Sequence, residues 1–240
     1  MTVKAWLEGN NIDLQRLASL FAVGPFHIRR EEDGRYYLSC PQLDSRPDGV
    51  SRLQVAGEPL ALANGIARTL DPVNYMPVRL QGSFSEAGKP NVAEKELSLE
   101  IRDLAACDNA AGPPPDGPAY FQIVSQSADL REAIAIIGRP PAELSYFWLY
   151  KVLEIIENAG ALENARLSAG ISKASIKLFY RTANHQAASG PDSRHARSKQ
   201  QAPAKRMPIQ EAQTMIARIL AAWILLAQPS GQAAQESVSG

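Results

Sequence analysis

Between residues 173 and 206 the chain carries eight lysines and arginines, Lys173, Lys177, Arg181, Arg194, Arg197, Lys199, Lys205 and Arg206, against the single acid Asp192. Two of its three histidines, His185 and His195, lie in the same run, with Asn184 beside the first and Arg194 beside the second. An imidazole exchanges a proton near neutral pH, and a neighbouring guanidinium can hold a phosphate or stabilise the charge that develops on it. Such groups can cleave RNA without a metal: a base removes the proton of the 2′-hydroxyl while arginine stabilises the pentacoordinate phosphorane. The candidate catalytic set is therefore Arg181, Asn184, His185, Arg194 and His195. Lys173, Lys177, Arg197 and Lys199 could neutralise phosphates, and Tyr180 could offer a stacking face to a base. The competing reading is a solvated loop with ordinary surface cations, since a charge run has no specificity of its own.

Other templates lack their residues. No GxSxG elbow, GxGxxG turn, P-loop or HExxH pair occurs, so hydrolase, dinucleotide, nucleoside-triphosphate and zincin chemistries have no motif to rest on. The two cysteines, Cys40 and Cys107, form no CxxC pair and have no histidine cluster near them, which leaves no zinc ligand set. No metal and no cofactor are expected. His27 falls in a strand of a hairpin and is read as structural.

The elements that would position the basic run follow from periodicity. Residues 172–182 read as a helix, and residues 208–226 read as another, with Ala212, Met215, Ile216, Ile219, Leu220, Trp223 and Leu226 on one face. Ser127 can cap a helix to residue 137, and Pro140-Pro141 can open one that carries Leu144, Phe147, Trp148, Val152, Ile155 and Ile156. Four such faces can bury one another as a bundle. Upstream, residues 3–7 read as a strand and residues 12–21 as a helix. Residues 26–30 and 35–38 make a hairpin across an Asp-Gly turn, which supplies the positive φ a tight turn needs. Residues 50–70 are helical in pattern, with Gly57 and Pro59 predicting either a kink or two helices. Residues 77–85 and 92–101 read as neighbouring antiparallel strands, the second alternating Leu97, Leu99 and Ile101 with polar residues.

The expected fold class is therefore α+β. A mixed domain with antiparallel hairpins and helices spans residues 1–111, a Pro/Gly-rich linker 112–120, a four-helix-bundle-like domain 121–228 and a disordered tail 229–240. Formal net charge is zero, but residues 1–120 hold 12 cations against 16 acids and residues 121–240 hold 13 against 9. The positive potential is thus concentrated in the helical half. The N-terminus has no signal-peptide h-region, and the most apolar stretch, residues 215–227, is interrupted by Arg218. These features predict a cytoplasmic protein with no membrane segment and reduced thiols.

With four helices and the runs RTANH and SRHA before the last of them, residues 125–228 resemble a HEPN-type bundle (higher eukaryote and prokaryote nucleotide-binding). The family places an arginine, a polar residue and a histidine near a helix junction; here three residues separate Arg181 from His185. The resemblance implies a dimeric, metal-independent ribonuclease, or an RNA- or nucleotide-binding module of a toxin or antiphage system. Two hypotheses follow. In one the helical half binds or cleaves RNA; in the other the chain is a non-enzymatic adaptor that forms a homo-oligomer, or engages a protein partner, through the helices of Trp148 and Trp223.

Overall fold

A computed structural model describes residues 2–86, 116–189 and 204–228. It is an α+β chain with strands and helices first and helices alone after them. Two compact units are present, Met1–Leu60 with Val78–Pro118, and Ala61–Pro77 with Ala119–Gly240.

The first unit is organised by β1 (Val3–Glu8), whose Val3, Ala5 and Leu7 are buried on alternate positions. Helix α1 (Asn11–Leu20) follows, started by Asn10, whose side chain accepts the Ile12 amide at 2.9 Å. The expected hairpin is present as β2 (His27–Arg30) and β3 (Tyr36–Ser39), and Gly34 in the turn has φ +89°, a value that favours glycine. Ala5 pairs with Leu38 on one side and with Phe84 of β4 (Arg79–Glu86) on the other, so these three buried side chains share a face. Among the described residues the sheet has four strands, all antiparallel, in the order β2-β3-β1-β4. On the opposite face the Arg35 guanidinium lies 3.9 Å from the ring centroid of Trp6, which also meets Tyr37 edge-on. A short helix α2 (Pro41–Asp44) ties down the chain start, because Asp44 accepts the Val3 amide at 2.7 Å. The strand expected at residues 92–101, Cys107 and the tail 229–240 lie outside the described residues.

Helix α3 (Gly49–Leu70) is one continuous element despite Pro59. Residues 62–69 are all buried, and that burial outweighs the hydrogen bond that proline removes. Residues 61–77 belong to the second unit, although composition alone groups them with residues 1–111. The reason is close packing: a Cβ on Gly65 would stand 2.1 Å from the Ile134 carbonyl oxygen, and one on Gly138 would stand 2.2 Å from that of Ala61. These glycines let two helix backbones approach where no side chain would fit.

The rest of the second unit comprises α4 (Gly117–Gln126, from residue 119), α5 (Ala128–Ile137), α6 (Tyr146–Asn158), α7 (Leu162–Ser168), α8 (Lys173–Ala183), α9 (Gln186–Ser189) and α10 (Ile209–Leu226). Ser127 caps α5 as expected, accepting the Leu130 amide. The next helix begins later than its prolines suggest. Pro141–Glu143 form a single 3-10 turn, and α6 starts only at Tyr146. Leu144, buried at ψ 74°, breaks the helical path between them. The helix α4 takes in Gly117 and Pro118, residues that composition assigns to the linker; a proline in the first turn sacrifices no helical hydrogen bond. The helix α7 is an element the periodicity does not reveal, its buried residues being only Ala165 and Arg166.

Arg68 fastens α3 to the end of α5, donating to the carbonyls of Ile137 at 3.0 Å and Arg139 at 2.8 Å. The Ile137 carbonyl is the last of α5, at the negative end of the helix dipole, and the Arg139 carbonyl lies two residues beyond it. Burial lowers the Arg68 pKa from its usual value to about 10, so the side chain remains a cation at neutral pH. Nearby, the Tyr75 hydroxyl donates to the Asn64 carboxamide, and both residues are buried.

Candidate nucleic-acid interface

Helix α8 is sharply two-sided. Ile176, Phe179, Thr182 and Ala183 are buried, and Ser172 caps its start by accepting the Ser175 amide at 3.0 Å. The i, i+4 spacing lines up Lys173, Lys177 and Arg181 along the helix, all three exposed, and a rise of about 1.5 Å per residue sets them about 6 Å apart axially. Their surroundings differ. Lys173 forms an ion pair with Glu163 at 3.2 Å, and Glu163 is also held by Arg166, which keeps its carboxyl below the usual range. Lys177 and Arg181 make no ion pair with any carboxylate among the described residues.

Tyr180 does not present an open stacking face. Its ring packs against Tyr150 at 5.1 Å and Phe179 at 5.9 Å, and its hydroxyl donates to Glu157 at 3.3 Å. Burial first, and then the Glu157 carboxylate, push its pKa well above the usual tyrosine range. A hydroxyl bound to an acid, with Glu154 also in electrostatic reach, repels a phosphate.

At the end of α8 the chain turns. Asn184 closes the helix, and its Oδ1 is buried with no hydrogen-bond partner among the described residues. His185 is half-buried between α8 and α9, and its carbonyl accepts the amides of Ala188 and Ser189 at 2.8 and 3.0 Å. Arg181 thus lies in the last turn of α8, and His185 follows Asn184 beyond the helix end. Arg194, His195, Arg197 and Lys199 lie outside the described residues.

Met207 is held beside the end of α8. It is 1% exposed and gripped on both sides of its backbone: the Tyr146 hydroxyl donates to its carbonyl at 2.6 Å, and its amide donates to Thr182 Oγ1 at 3.2 Å. The Thr182 hydroxyl in turn donates to the Leu178 carbonyl at 2.9 Å. Tyr146 packs on Phe179 at 6.4 Å, and burial raises its pKa while Arg206 acts in the opposite direction. Lys205 and Arg206 are exposed and, among the described residues, have no acidic partner. Sequence reasoning missed Tyr146 and Thr182, because a threonine one turn from a helix end carries no signal of a bond made 25 residues away.

No family model, curated protein or solved structure matches this chain. Among the described residues no group of three or more His, Cys, Asp or Glu could hold a metal ion. The helix α10 is the one described helix long and apolar enough to cross a bilayer by length and composition, and half of that stretch is buried within the fold. A cleft of about 360 Å³ beside it is lined by Ile171, Ser175, Met207, Glu211, Met215 and Arg218, among others.

Proposed function

We propose that the helical unit is a HEPN-like module that binds RNA through the cationic side and C-terminal end of α8. The observation that carries this reading is the pair Lys177 and Arg181, one turn apart, exposed and without a carboxylate partner among the described residues. An exposed cation already paired with an acid, as Lys173 is with Glu163, gains less from a phosphate because it must give up that partner.

In the catalytic form of this reading His185 and His195 transfer protons. One takes the 2′-hydroxyl proton as that oxygen bonds to phosphorus, the other protonates the departing 5′-oxygen, and Arg181 and Arg194 stabilise the charge on the phosphorane. Such a metal-independent endoribonuclease would act in the cytoplasm, within a toxin or antiphage system, with the first unit recognising the target.

Incubation of the protein with labelled single-stranded RNA tests both forms. Salt-sensitive binding that weakens in Lys177→Gln/Arg181→Gln supports the interface, and cleavage lost in His185→Ala or His195→Ala supports the chemistry. Absence of salt-sensitive binding in the unaltered protein ends the proposal.

A second reading, assembly into a homodimer, draws on the exposure of Phe147 at 48%, Leu225 at 50% and Leu226 at 52%. Trp223 does not contribute, being 8% exposed, and Trp148 is half-buried with the Arg139 guanidinium 4.0 Å from its ring centroid. Light scattering on the protein and on Phe147→Ser distinguishes a dimer that buries Phe147 from a monomer.

A further inference from the structure

The described residues on either side of the basic segment meet near the end of α8. Met207 N lies 3.2 Å from Thr182 Oγ1, and Arg206 is covalently joined to that nitrogen, as Arg181 is to Thr182. Thr182 and Met207 are therefore neighbours in space, although 25 positions apart in the chain. Two hydrogen bonds hold this arrangement: the Tyr146 hydroxyl donates to the Met207 carbonyl and the Met207 amide donates to Thr182 Oγ1, so the peptide units on both sides of Met207 are held.

We propose that Lys205 and Arg206 form, with Arg181, a phosphate-binding site for single-stranded RNA, and that Tyr146 and Thr182 are its positioning residues. The bland alternative is that these cations merely complement the negative end of the α8 dipole. A dipole end is worth about half a charge, which three cations exceed severalfold, leaving charge for an external anion. Helix-end complementarity would also be satisfied by Arg181 alone, in the last turn of α8.

This inference rests on RNA binding by α8, and its test separates the two. Anisotropy of a labelled single-stranded oligoribonucleotide is measured from about 50 to 200 mM salt, where the slope of log K against log salt is about −0.7 per phosphate neutralised. Removing two participating cations in Lys205→Gln/Arg206→Gln is expected to flatten the slope by about 1.4. Tyr146→Phe and Thr182→Val leave every charge in place, yet each is expected to flatten the slope by releasing the cations from position. Thr182→Ser, which keeps the hydroxyl, is expected to retain it. Circular dichroism of each variant verifies that the helices persist; if Tyr146→Phe unfolds the unit, the Lys205/Arg206 and Thr182→Ser comparisons still decide. A slope unchanged in Lys205→Gln/Arg206→Gln but flattened in Lys177→Gln/Arg181→Gln overturns this site and leaves the α8 interface standing. No salt-sensitive binding at all overturns both.

Discussion

Helix α3 contains glycines at positions 57 and 65, and substitution of each by alanine should shift stability in opposite directions. An ideal Cβ on Gly57 meets nothing within 4 Å. Alanine there gains the helix propensity that glycine lacks, and Gly57→Ala should stabilise the protein by about 0.5–1 kcal/mol. The same propensity gain applies at Gly65, but a Cβ there would stand 2.1 Å from the Ile134 carbonyl oxygen, 2.6 Å from its Cγ2 and 2.9 Å from its carbonyl carbon. Two of the three atoms are backbone, so no rotamer change relieves the contact. The α3 and α5 backbones would have to separate by about 1 Å, enough to loosen a close-packed contact along its length. Overpacking of this kind costs about 1–3 kcal/mol or more, so Gly65→Ala should lose at least about 1–2 kcal/mol after the propensity gain is counted. Urea denaturation followed by far-UV circular dichroism gives both numbers from one protein background. Equal stabilisation by the two substitutions would refute the close approach of α3 and α5, and with it the assignment of residues 61–77 to the helical unit.

Three further outcomes can be checked. Gly138→Ala should destabilise for the reciprocal reason, its Cβ standing 2.2 Å from the Ala61 carbonyl oxygen, and should lower the urea midpoint as Gly65→Ala does. Arg68→Met strips the Ile137 and Arg139 carbonyls of two charged hydrogen bonds, and a loss of about 2–3 kcal/mol is expected; an unchanged midpoint would mean that relief from burying the cation balances the lost bonds. Burial, and then the neighbouring Arg29, lower the His27 pKa below its ordinary 6.5. The unfolded chain therefore binds this proton more readily, so stability is full above pH 6.5 and declines as the pH falls from there through the lower folded value. His27→Gln should flatten the urea midpoint between about pH 7.5 and 5.5, a range in which no carboxylate titrates, and a slope that persists in this variant would assign the effect elsewhere.

Local chemistry was legible wherever it acts over a few residues. The Asp33-Gly34 turn, the Ser127 cap, the strand β1 and the buried stripe of α10 could all be read directly, because period and capping depend on near neighbours. The helix α6 was misplaced at its start for a related reason: Pro140-Pro141 is a valid helix opening, and only the burial of Leu144 diverts the backbone before Tyr146. For the interface, the sequence determined which cations exist and that Lys173, Lys177 and Arg181 repeat once per turn. It could not determine that Glu163 pairs with Lys173, that Tyr180 faces Glu157, or that Met207 is gripped by Tyr146 and Thr182. Those facts join residues 10 to 61 positions apart. They depend on which helices lie side by side, and that was decided by the shared burial of α6, α8 and α10, not by the spacing within any one helix.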